Sequence, residues 1–65
     1  MRHMENKARK RRLELGMTQL ALAKAAGTSR EYINRIEMGR VVSPGIKICK
    51  KIAAALEVTI GDLWQ

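Results

Sequence analysis

Apolar positions recur along the chain at helical rather than strand spacing, and each run is bounded by a cap residue or a glycine. From Glu5 to Leu15, residues of good helix propensity place Ala8, Arg12 and Leu15 at i, i+4 and i+7, which predicts a first helix with those three on its inward face. Gly16 ends it, Met17 is an apolar residue just ahead of a cap, and Thr18 caps a second helix from Gln19 to about Ala26. Gly27 supplies a tight turn, and Ser29 caps a third helix over 29–38. Successive residues turn by about 100°, so Ile33, Ile36 and Glu37 share one side while Arg30, Glu31, Asn34 and Arg35 cluster opposite. After Gly39, the stretch from Arg40 to Pro44 is a loop. A fourth helix from Gly45 carries Ile46, Cys49, Ile52, Ala53 and Leu56 as a buried stripe, with Lys47, Lys50 and Lys51 mostly outside it. Thr59, with Asp62 three residues on, makes a capping box for a short last helix bearing Ile60, Leu63 and Trp64.

Periodicity alone would suit any amphipathic helical hairpin. The spacing of Leu22, Ala23, Gly27, Ile33 and Ile36 is narrower in meaning: a small residue where two helices cross, a glycine at the turn, and isoleucines that lock the second helix on the first. With the stretches LGMTQ (15–19), LAKAAGTSREYINRIEMGR (22–40) and IAAALEVTIGDLW (52–64), the sequence resembles the Cro/repressor, or Xre-like, DNA-binding domains of bacteria and phage from about residue 7 to residue 64. The resemblance implies an all-α fold, a compact five-helix bundle of the phage-repressor type containing a helix-turn-helix. It also implies that Arg12, an arginine on an inward stripe that needs a partner, pairs with Glu37. Four positions depart from the family pattern. Glu57 stands where the turn before the last helix usually has glycine, Leu20 and Ala21 replace an acidic pair, and Met38 replaces an asparagine before Gly39. A left-handed Glu57 would cost roughly 1 kcal/mol, so that turn is expected to be strained or differently shaped.

Size and charge narrow the partner. The 65 residues suffice for one small domain, 1–65, burying ~60% of the surface its unfolded chain exposes. Thirteen Lys and Arg against six Asp and Glu give a net charge of +7, which calls for an anionic partner such as nucleic acid. No apolar run approaches the roughly 18 residues of a spanning segment, and the basic start lacks the apolar core of a signal peptide. A cytoplasmic protein with no membrane partner is expected. Residues 1–4, ahead of and including a second methionine, read as a cloning remnant or a frayed arm. The end at Gln65 suggests a stand-alone regulator or the DNA-binding part of a longer one.

One cysteine and one histidine make neither a disulfide nor a four-ligand zinc site, so no metal and no cofactor are expected. Cys49 reads as a small core hydrophobe. With Tyr32 and Trp64 the only aromatics, single-strand stacking platforms are missing and a duplex is favoured. Nothing pairs a nucleophile with a base, so an enzyme is not expected.

In the docking geometry that the resemblance implies, the third helix enters the major groove and Arg30, Glu31, Asn34 and Arg35 meet base edges. Arginines suit guanine O6 and N7, asparagine suits adenine, and Glu31 accepts from a cytosine or else orients an arginine. Phosphate contacts are assigned to Gln19 at the start of helix two, to Arg40 and Ser43 in the loop, to Arg11 within the basic run Lys7, Arg9, Lys10, Arg11, and to the Tyr32 hydroxyl. The basic run, the loop and Tyr32 also have plainer readings: a solvated helix face, a simple connector, a ring packed on the domain. A module this small is expected to work as a homodimer on an inverted-repeat operator, joined through the last helix by Leu63 and Trp64, unless Trp64 only closes the core. The alternative function is a protein-interaction module, such as an antitoxin-like adaptor, for which Leu20 and Trp64 leave room.

Overall fold

The computed structural model describes residues 6–41 and 44–64. Among them run five helices and no strand: α1 (Ala8–Glu14), α2 (Gln19–Ala26), α3 (Arg30–Glu37), α4 (Ile46–Ala55) and α5 (Ile60–Leu63). The all-α, five-helix architecture agrees with the sequence pattern.

Side-chain caps fix where α2, α3 and α5 begin. Thr18, Ser29 and Thr59 accept from the amides of Ala21, Tyr32 and Asp62, and the Asp62 carboxylate accepts in return from the Thr59 amide at 2.9 Å, closing the capping box. The Thr59 backbone amide, then its hydroxyl, hold the Asp62 carboxyl below the usual aspartate range. Helix α1 starts later than 5–15 predicts, because Asn6 is not a helical residue: its Oδ1 accepts from the Ala8 amide at 3.0 Å. Beside it, the Lys7 amide donates to the Leu63 carbonyl at 3.1 Å, tying the start of α1 to the end of α5.

Helices α3 and α4 end with one geometry. After α3, the Gly39 amide donates to the Ile36 carbonyl at 3.0 Å and the Arg40 amide to the Arg35 carbonyl at 2.9 Å, with Gly39 left-handed at φ 73°. The same pair of bonds follows α4, from Glu57 to Ala54 and from Val58 to Ala53, and there the left-handed residue is Glu57 at φ 60°. The turn is therefore strained and not reshaped, at a cost of roughly 1 kcal/mol.

Helix α2 packs against α3 and α4, and α4 against α5. Leu22, Ile33, Ile36, Ile52, Leu56 and Leu63 are fully buried, and Ala23, Ala26 and Ala53 fill the space between them. Cys49 is buried, and its desolvation pushes the thiol pKa up. Ile46 departs from its expected place in the stripe and is 63% exposed. It is the first residue of α4, and a helical side chain covers the turn before its own, which here does not exist. No helix among the described residues is long and apolar enough to cross a membrane.

Candidate nucleic-acid interface

Helix α3 is held from behind by a buried polar cluster. Arg12 Nε donates to Glu37 Oε2 at 2.7 Å and its Nη2 to Oε1 at 3.1 Å, while Nη1 donates to the Met17 carbonyl at 2.7 Å. The pairing expected of Arg12 and Glu37 is present, with both side chains buried. Two charges taken out of water at this cost are tolerable only when geometry and extra hydrogen bonds compensate, and here they do. Asn6 Nδ2 adds a bond to the Ile36 carbonyl at 2.8 Å, closing the C-terminal end of the helix.

The opposite side of α3 is open. Arg30, Glu31, Asn34 and Arg35 are all exposed, as the sequence pattern predicts. Arg30 and Glu31 approach only to 3.7 Å in solvent, a weak pair that leaves both free to turn to another partner. Arg35 lies 5.7 Å over the ring of Tyr32, which is half-buried against the core. The ring of Tyr32 thus packs on the domain, and stacking holds Arg35 near one direction.

Other assigned residues fall in different places. Gln19 Nε2 donates to Asn34 Oδ1 at 3.1 Å and to Glu37 Oε1 at 3.2 Å, which uses both hydrogens of its amide. The side chain expected to donate to phosphate therefore has no hydrogen left for one in this geometry, and any donation at the start of α2 falls to backbone amides, which have no intrahelical partner there. Arg11 is likewise turned inward: its Nε donates to the Leu56 carbonyl at 2.9 Å and its Nη1 meets Glu14 at 3.3 Å. A cation at the end of α4 satisfies a carbonyl that the helix leaves unpaired, which draws Arg11 away from a phosphate role. Arg40 is exposed just past α3, and Ser43 lies outside the described residues. Leu63 is 2% exposed and so belongs to the chain's own core, not to a dimer surface, while Trp64 is half-buried against that core.

Two residues with no assigned part also matter. Asn6, to which the sequence pattern gives no part, closes the end of α3 through the Ile36 carbonyl. Lys51 places its ammonium 3.7 Å from where a Cβ would stand on Gly27, so a cation sits at the C-terminal end of α2. Among the described residues there is no cluster of His, Cys, Asp and Glu that could hold a metal ion.

The model of the helix-turn-helix family matches residues 9–63. An uncharacterized HTH-type transcriptional regulator of Archaeoglobus fulgidus is 38% identical over 61 residues, covering 94% of this chain and 86% of the relative. The HTH-type transcriptional regulator SlrR of Bacillus subtilis (strain 168) is 36% identical over 44 residues, 68% of this chain but only 29% of SlrR. Among solved structures, SinR, the master regulator for biofilm formation, in complex with DNA superposes with a TM-score of 0.77 at 29% identity, covering 85% of this chain and 87% of that one. SinR is from Bacillus subtilis. The hydroxypropylphosphonic acid epoxidase of S. wedmorenis contains the same fold, with a TM-score of 0.80 at 28% identity over 89% of this chain and 30% of the enzyme.

Proposed function

The chain belongs to the helix-turn-helix family, of the Cro/repressor, Xre-like type found in DNA-binding transcriptional regulators, and from that premise we propose that it is a sequence-specific regulator, a repressor, that lays α3 in the major groove of duplex DNA. The observation that carries this reading is the exposed row Arg30, Glu31, Asn34 and Arg35 on a helix whose other side is locked by the Arg12–Glu37 pair. Arg30 and Arg35 read guanines, and Asn34 and Glu31 read neighbouring bases. The free amides at the start of α2, Arg40, the Tyr32 hydroxyl and Ser43 take phosphates, with the remaining surface cations adding attraction that ignores sequence. Two copies bind an inverted repeat with half-sites ~34–36 Å apart. With Leu63 spent internally, the contact between copies falls to Trp64 and the outer surface of α5. Such a protein works in the cytoplasm, beside the chromosome.

A pool of random duplexes incubated with the protein at about 150 mM salt, where non-specific binding is weak, tests the reading. Enrichment of an inverted repeat with guanines in each half is the expected result. Retention without enrichment contradicts it, and a monomer in sedimentation both free and on the enriched site contradicts the dimer. Failure to enrich any sequence would favour the second reading, a protein-interaction module such as an antitoxin-like adaptor, which draws on Leu20, 49% exposed on α2.

A further inference from the structure

The bonds around Gln19 decide the orientation of a neighbouring side chain that faces solvent. Glu37, gripped by Arg12 through both oxygens, carries a negative charge and only accepts hydrogen bonds. The terminal atom of Gln19 that lies 3.2 Å from Glu37 Oε1 must therefore be its amide nitrogen. That nitrogen has a second hydrogen, directed at the Asn34 side chain 3.1 Å away, and the atom receiving it must be the Asn34 oxygen. Asn34 is exposed, so its own amide nitrogen is left pointing away from Gln19, toward the space in front of α3. A buried ion pair thus dictates, through one glutamine, that Asn34 shows a donor outward.

We propose that Gln19 is a positioning residue that makes Asn34 a one-sided hydrogen-bond donor, selecting a base whose major-groove edge offers acceptors and no donor, guanine or thymine, over cytosine. The inference rests on the DNA-reading function proposed above and deepens it. Pairing with adenine through both amide atoms would need the Asn34 oxygen turned outward, and Gln19 holds it back. Cytosine presents an amino donor in the major groove, so it meets Asn34 donor against donor. Gln19 itself touches no base.

The test measures affinity for the enriched duplex carrying each of the four bases in turn at every half-site position. For the unaltered protein, one position favours guanine or thymine over cytosine by roughly 10-fold. Gln19→Leu removes the tether but leaves the Arg12–Glu37 pair, and a melting curve of the free variant checks that it folds. The ratio at that one position should then collapse to about 2-fold or less, because a free amide turns its oxygen outward as readily as its nitrogen. Asn34→Asp, which must face an oxygen outward, should reverse the preference toward cytosine. A uniform loss of affinity in Gln19→Leu with the ratio intact overturns the proposal, since a phosphate contact or a scaffold role would act in that way. So does an Asn34→Asp variant whose base preference is unchanged. The absence of any preferred sequence for the unaltered protein is a different outcome: it overturns the DNA reading, and this inference with it.

Discussion

Helices α1 and α3 both look like basic surface helices, and by charge alone α1 is the better candidate for a DNA contact. It carries Arg9, Lys10, Arg11 and Arg12 in succession, whereas α3 offsets Arg30 and Arg35 with Glu31 and Glu37. The partners of these charges differ between the two helices. Arg12 is buried against Glu37, and Arg11 reaches across to the Leu56 carbonyl, so two of the four α1 cations hold the fold together. On α3 the division is the other way: Glu37 faces in, and Arg30, Asn34 and Arg35 face out. A dense run of charge therefore says little about an interface until the partners of each charge are known.

The comparison can be broken most forcefully at Arg12. Arg12→Leu leaves Glu37 as an uncompensated buried charge and should cost about 3–5 kcal/mol of stability, read by denaturant unfolding. A change below about 1 kcal/mol would mean that the pair is not what holds α3. Next in size, Arg35→Ala should lose about 1–3 kcal/mol of discrimination at a single base pair while stability stays nearly unchanged. Uniform weakening across all sequences would remove Arg35 from the base-reading row. Arg11→Ala should do the converse, lowering stability by about 1 kcal/mol while leaving the salt dependence of DNA binding alone. A salt slope reduced by about 1 would return Arg11 to the phosphate contacts. The smallest effect sharpens the same point, because Arg11 holds the carbonyl next to the left-handed Glu57. Glu57→Gly should stabilise the fold by up to about 1 kcal/mol in thermal melts, and no gain would mean that the turn is not strained.

The helices and their caps were legible because they depend on local chemistry. Thr18, Ser29 and Thr59 cap by their own side chains, and the left-handed bend at Glu57 follows from its position in the pattern. The outward row of α3 was legible for the same reason, since helical spacing alone sorts Arg30, Glu31, Asn34 and Arg35 from Ile33 and Ile36. What escaped the sequence were the partners of long polar side chains. Nothing local tells that Arg11 finds an acceptor 45 positions away, that Gln19 divides its amide between Asn34 and Glu37, or that Asn6 closes the end of α3. Leu63 went astray differently, because a leucine near a chain end can face either the core or a second copy, and only packing decides.

The central claim is that α3, not the more basic α1, meets DNA. The most direct measurement is a backbone and side-chain NMR titration of the protein with its enriched duplex. The largest shifts should fall at Arg30, Glu31, Asn34, Arg35 and the first amides of α2, with Lys10 and Glu14 of α1 nearly unmoved. Shifts concentrated on α1 and the lysines of α4, with the outer face of α3 silent, would contradict the claim.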